Sequence, residues 1–332
     1  MMRGPLHFTL LFSIALLPGN LAFADTSLTY LNQGRADDAV RALRGSLAKN
    51  LKDGVAHQLL CRVYYAQENA NPAIKECEAA VSAAPNQSDN YLWLGRAYGM
   101  KAAKANPLSA FSLARKVVAA FEQAVQLNPS NVAAMRDLGE YYVAAPGIVG
   151  GGVEKAHQLA AKMMPVSATK AHRLLAEIAE KQGDPAKAEA EYKHAVEAER
   201  SAESLVDLAQ FYQDRKEYDQ STATVQAAMR LDRPRDAAAV DAASILITTN
   251  RSLPVAEKLL RDYLESPAQS DAAPVFKVHV QLGDLLLKRG DKNGAAEEYK
   301  ASISLASGYG PAQHALEGLQ RQGTATVTRQ SP

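Results

Sequence analysis

The chain is poor in the residues that most often do chemistry. Its 332 residues include two cysteines and one tryptophan, and only 6% are aromatic. No histidine is spaced with Cys61 and Cys77, so the pair cannot be half of a cysteine-histidine zinc site, and no metal is expected. A nucleophile elbow, an H-E-x-x-H helix and a GxxxxGK[ST] phosphate loop are all missing, which argues against acyl transfer, zinc hydrolysis and phosphoryl transfer. The histidines after the N-terminal stretch, His57, His157, His172, His194, His279 and His314, are dispersed along the chain. Carboxylate pairs such as Glu76 with Glu78, or Glu297 with Glu298, spread around a helix without converging. No enzyme and no cofactor are expected. A charge excess is lacking too, with 37 Lys and Arg against 36 Asp and Glu. Nucleic-acid binding through displaced counterions needs a basic surplus, so no nucleic-acid partner is expected.

Long apolar runs are confined to the N-terminus. Arg3 precedes an apolar stretch from Leu6 to Leu17, followed by Pro18-Gly19 and the small residues Ala22 and Ala24. This order is that of a secretory signal peptide over residues 1–24, cleaved after Ala24. The apolar core falls short of the ~20 residues of a spanning helix. The mature chain is therefore expected to be exported, periplasmic or secreted, with no stable membrane span. Export would also let Cys61 and Cys77 oxidise. They lie on the two helices of one hairpin and are either a disulfide or two buried thiols.

What is present is repetition. Leu60-Cys61-x-x-Tyr64 recurs as Leu94-Gly95-x-x-Tyr98, Leu138-Gly139-x-x-Tyr142, Leu208-Ala209-x-x-Tyr212 and Leu282-Gly283-x-x-Leu286, on a period of about 34 residues. A second motif follows each, as in Ala73-x-x-x-Cys77-x-x-Ala80 before Pro85 and Phe121-x-x-Ala124 before Pro129. These spacings put the small and large residues on single helical faces, where a small side chain lets a second helix approach. Gly183-Asp184-Pro185 and Gly290-Asp291-Lys292 supply the turns between helices.

The combination resembles the tetratricopeptide repeat family over nearly all of the mature chain. That resemblance implies an all-α, right-handed α-α superhelix of about eight helical hairpins over residues 25–322, with Pro311 to Gln320 as a C-terminal capping helix. Residues 323–332 have no apolar period and are expected to form a flexible tail.

The period breaks twice in succession. Gly95 to Gly139 is 44 residues, and the excess is expected to lengthen both helices of the hairpin by about five residues, or ~7 Å. The next hairpin is interrupted by Ala145 to Gly152. Both insertions fall in the turn between first and second helices, so they should sit side by side at one edge. Pro146, Ile148, Val149, Gly150, Gly151 and Gly152 are candidates for partner contact there, with a plain structural loop as the alternative. Nucleotide binding is disfavoured, because the loop follows a helix and lacks the phosphate-loop spacings. Pro146, Gly150, Gly151, Lys155 and Ala156 are similar to a loop in the helical T component that accompanies some periplasmic TRAP transporters.

The resemblance also implies that first helices face the concave surface. Helical phase then places Arg62, Tyr65, Arg96, Arg136, Glu140, Arg173, Glu177 and Lys181 along the groove. One arginine per repeat suits a carboxylate-bearing partner, an acidic peptide or a chain terminus. The family's Lys-Asn clamp for terminal carboxylates is not reproduced. Alternatively Arg136 with Glu140 and Arg173 with Glu177 satisfy each other at i,i+4, while Trp93 is expected to pack between helices. The functional expectation is a non-catalytic scaffold that binds a protein or peptide in the groove. The alternative is a solute-handling accessory protein with a small-molecule pocket. An open groove with exposed arginines would mark the first, an enclosed apolar cavity the second.

Overall fold

The computed structural model describes residues 18–231 and 236–329, all helical apart from turns and loops. Eight hairpins follow one another, each a pair of antiparallel helices. They are α1 (Pro18–Asn32) with α2 (Ala36–Lys49), α3 (Gly54–Ala66) with α4 (Ala70–Ala83), and α5 (Ser88–Ala102) with α6 (Pro107–Leu127). Then come α7 (Val132–Ala144) with α8 (Val153–Met163), α9 (Ala168–Lys181) with α10 (Pro185–Ala198), and α11 (Ala202–Asp214) with α12 (Tyr218–Met229). The last pairs are α13 (Ala237–Thr248) with α14 (Leu253–Leu264) and α15 (Val275–Lys288) with α16 (Lys292–Leu305), and α17 (Gly310–Arg329) covers α16. The α-α superhelix of eight hairpins and a capping helix is thus as the period predicts. No helix of the described residues is long and apolar enough to cross a membrane.

Local chemistry sets the helix starts. Asp53, Asn106, Asn131, Ser167, Asp184, Ser201 and Asp291 each accept a backbone N–H from the first turn that follows, which satisfies a donor that has no partner inside the helix. The signature residues then lock the hairpins. A Cβ on Gly95 would run into the Phe121 ring, and one on Gly283 into Tyr299, so the missing side chains let each second helix lie close. Cys61 and Cys77 occupy the corresponding places in the second hairpin, sixteen residues apart like Gly283 and Tyr299, and they are joined as a disulfide with Cα atoms 5.2 Å apart. There a covalent bond replaces the glycine-aromatic contact. For a loop of that length its reduction is expected to lower stability by about 3 kcal/mol, read as a drop in melting temperature between oxidised and reduced protein.

Polar ties repeat as well. The hydroxyls of Tyr98, Tyr142 and Tyr212 donate to Glu78, Glu122 and Glu189 on the preceding hairpin's second helix. His57, His172 and His279 each meet a glutamate nineteen residues on, Glu76, Glu191 and Glu298, at 2.6 to 2.8 Å.

The period does not predict that the superhelix closes on itself. Phe276 of α15 is 1% exposed because it is packed among Leu31, Leu43, Leu59 and Val63 of the first hairpins together with Ala306, Tyr309 and Ala312 near the chain end. Its ring meets that of Tyr309 edge-on at 5.0 Å. Arg62 pairs with Asp271 at 2.9 Å, and Lys277 with Glu68 at 2.9 Å. The backbone N–H of Ser307 donates to Asp37. Gly34, at φ +66° between α1 and α2, lies so near Val275 that a Cβ would sit 2.7 Å from its backbone nitrogen. A side chain there would be strained and would push the two ends apart. The first hairpin is thus the neighbour of the last, and the concave groove becomes a chamber.

One sequence expectation changes. The long insertion lies almost wholly in α6, which has 21 residues against 15 in α5, because Asn106 caps it and Pro107 occupies its first turn. The expected equal lengthening of both helices is therefore wrong. The backbone of residues 323–329 continues α17, where a flexible tail is expected from sequence; residues 330–332 lie outside the described ones. At the other end, α1 runs across the expected cleavage point after Ala24, while the apolar stretch from Leu6 to Leu17 lies outside the described residues.

Candidate functional site

The first helices turn one face inward, and together with part of α6 and the segment before α15 they line an open-mouthed cavity of about 920 Å³. One wall is aromatic. Trp93 is met edge-on by Tyr65 at 5.5 Å, and the Arg96 and Arg62 guanidinium groups lie 4.5 and 5.2 Å from its ring centroid. Trp93 therefore lines the chamber with part of its ring, while the rest packs against the helical core as expected. Planar cations over its face gain from the ring quadrupole.

The structure brings the groove arginines together but commits them all. Arg62 pairs with Asp271, and Arg96 with Asp137 at 2.5 Å. Arg136 meets Asp137 at 3.0 Å and Glu140 at 3.7 Å. Arg173 is shared among Glu140, Glu177 and Asp207 at 3.2, 3.2 and 3.6 Å. Both i,i+4 pairs expected as the alternative are thus formed, within a wider network. Arginines already bonded to protein carboxylates are not a clamp waiting for an acidic one. Lys181 is exposed at the end of α9 and does not line the chamber.

The carboxylates outnumber the cations. The described lining carries Asp137, Glu140, Glu203, Asp236, Asp241 and Asp271 against Arg96 and Arg136. Lys170 reaches Glu203 at 2.6 Å and pulls its carboxyl below the ordinary range despite burial. Asp236 accepts the N–H of Ala238 at the start of α13. Among the described residues the Asp241 carboxylate has neither an ion pair nor a hydrogen bond. Burial, then the nearby Asp207 and Glu203, push its pKa up to about 6. Glu177 is pushed to about 7, since burial outweighs the attraction of Arg173. A surrounding of this kind favours a positive guest.

Sequence reasoning missed Asp241, Asp236 and Asp271. Their hairpin departs from the signature, with Ser244 in the usual small-residue place, and nothing local shows that the loop before α15 folds back to Arg62.

At the edge, the two insertions do meet. The Tyr141 hydroxyl lies 2.8 Å from the carbonyl oxygens of both Ala114 on α6 and Val149 in the loop. Residues Gly147–Val149 form a 3-10 turn. Of the candidate contact residues, Pro146 and Ile148 are exposed, Ile148 at 79%. Val149 is buried, so its expected role at the tip is wrong. Gly151 fits against the Ala145 carbonyl, where a Cβ could not. The N–H groups of Gly150, Gly151 and Gly152 donate to Gly147, Pro146 and Tyr142. They are spent inside the loop, and Lys155 donates to the Gly150 carbonyl. The loop is built to hold its own shape.

Tetratricopeptide repeat models match residues 25–98, 170–201 and 276–309. The unmatched stretches contain both insertions and the atypical α13 hairpin. No curated protein matches the chain. Among solved structures, yeast Tom70 is similar at 15% identity and a TM-score of 0.55, over 98% of this chain and 68% of that one. A tetratricopeptide repeat protein of Parabacteroides merdae is 14% identical with a TM-score of 0.45, over 90% and 98%. A thermophilic repeat protein of Thermus thermophilus is 17% identical with a TM-score of 0.43, over 74% and 98%. These likenesses concern the fold.

Proposed function

The chain is a tetratricopeptide repeat protein, and from that premise we propose that it is a non-catalytic interaction module outside the cytoplasm whose inner chamber takes a basic side chain of a partner peptide. The observation that carries this reading is Asp241, a carboxylate that lines a cavity with an aromatic wall and has no ion pair or hydrogen bond among the described residues, Arg173 acting on it only at a distance. A lysine or arginine placed there would gain a charge-assisted bond in a partly desolvated site and could stack near Trp93. The partner favoured is thus basic, the reverse of the acidic one that the arginine spacing suggests. Export is supported by the N-terminal segment and by the Cys61–Cys77 bridge, a bond suited to an oxidising compartment.

Trp93 is the sole tryptophan, so its fluorescence reports the chamber directly. Titration with lysine- and arginine-bearing peptides is expected to change its emission saturably, and glutamate-bearing peptides of equal length are not. Asp241→Asn should weaken the basic peptides roughly tenfold or more, as loss of a charged partner in a desolvated site does. Equal binding of acidic peptides, or an Asp241→Asn variant that binds as the parent does, would refute the reading.

A second reading rests on the volume of the chamber. A cavity of about 920 Å³ lies within the ~300–1,000 Å³ of small-molecule sites, and a solute-handling role would place a small organic cation there. Binding of free diamines but not of basic peptides would favour it.

A further inference from the structure

The histidine-glutamate ties of the hairpins contain an exception. His57 with Glu76 and His279 with Glu298 each hold a single imidazole, Glu298 also being approached by Arg261 at 3.6 Å, and one turn beyond each glutamate stands an alanine, Ala79 or Ala301. In the α9–α10 hairpin the same place is His194. Its Nδ1 lies 3.8 Å from the Glu191 oxygen that His172 Nδ1 meets at 2.8 Å. The two imidazole rings are 5.3 Å apart, and one donor atom from each of the three side chains lies within 4.8 Å of the others. The other two hairpins pack with a single imidazole on the glutamate, so the second histidine is not required by the fold.

We propose that His172, Glu191 and His194 bind one divalent transition-metal ion, with Zn²⁺ the natural probe. Two imidazoles and a carboxylate are a donor set that Zn²⁺ accepts. Glu191 and His194, at i and i+3, project from one face of α10, and His172 supplies the facing ligand from α9. Bonds of about 2.0–2.1 Å bring tetrahedral ligands to about 3.3 Å from each other. The required contraction falls mainly on His194, whose side chain is 52% exposed while those of His172 and Glu191 are 24% and 17% exposed. A fourth position is left for water or for a donor from a partner. The neighbouring Arg173 is occupied by the chamber acids, so the ion site and the chamber lie on different faces of α9 and are independent.

The test is a zinc titration of the tag-free, oxidised full chain against a chromophoric chelator. One equivalent is expected, with His194→Ala weakening it by more than about tenfold. His314→Ala, which removes an exposed histidine on α17, should leave binding unchanged. Because His194 is half in solvent, its variant should melt with the parent in chelator, which separates lost ligation from lost fold. Failure of the parent to bind zinc, equal binding by His194→Ala, or equal loss in His314→Ala would each overturn the assignment.

Discussion

Phe276→Ala is expected to destabilise the protein by about 3–5 kcal/mol and to open the ring. The side chain is almost fully enclosed, and its surroundings come from both ends of the chain: Leu31 and Leu43 on one side, Ala306, Tyr309 and Ala312 on the other. Truncation removes the hydrophobic transfer term, leaves a cavity at the seam and abolishes the edge-on contact with Tyr309. The seam would then rest on the ion pairs Arg62–Asp271 and Glu68–Lys277, the Ser307–Asp37 hydrogen bond and the smaller apolar contacts that remain. Glu68–Lys277 is about a third exposed and contributes little, and the less exposed Arg62–Asp271 pair replaces none of the lost apolar burial. Small-angle scattering should therefore show a larger radius of gyration together with the lower melting temperature. A variant that melts lower but keeps the parent's dimensions would mean the remaining seam contacts close the ring without the Phe276 ring.

Arg173→Met should have the next largest effect, about 3 kcal/mol at neutral pH, the lower end for breaking a buried ionic group because water reaches part of this network. Arg173 is the shared counterion of Glu140, Glu177 and Asp207, and its loss leaves three carboxylates facing one another. The pH dependence follows from the sign of the shifts. Glu177 and Asp241 have folded pKa values raised to about 7 and about 6, so the native state binds these protons more tightly than the unfolded chain. Their stabilising contribution is complete below the unfolded pKa near 4 and is lost as pH rises through 6 and 7. Carboxyls held low, such as Glu68 beside Lys277, act in the opposite sense only below that window. The parent should melt higher at pH 5 than at pH 7.5, and Arg173→Met should show the steeper decline. A variant no more pH-sensitive than the parent would show that the arginine does not hold these acids together.

The repeated architecture was legible because each hairpin is specified locally, by a small residue, an aromatic partner and a cap within one period. Even the course of the insertion was written in Asn106-Pro107, a cap followed by a first-turn proline, which gives the extra length to α6. Of the four arginines that helical phase puts along the groove, Arg96 and Arg136 line the cavity, and Arg62 and Arg173 pair with acids on first helices or on the segment before α15. Their partners were harder to find. Asp137 and Asp207 sit on neighbouring first helices, but Asp271 reaches Arg62 only after the superhelix has completed its turn. That meeting depends on the small rotation added at every repeat, and no single motif encodes it. Val149 shows the same limit on a smaller scale, because composition marked the loop without saying which of its apolar residues would turn inward.

An open array of repeats has two weak ends, each held by one neighbour, and it can unravel from either. Joining Phe276 to the first hairpins gives the terminal repeats neighbours on both sides, so fraying at one end requires breaking the seam as well. The same contact spans 209 residues between Arg62 and Asp271, far beyond the local contacts that let helical proteins fold quickly. Closure should therefore be the slow and final event of folding, following hairpins that assemble by nearest-neighbour steps.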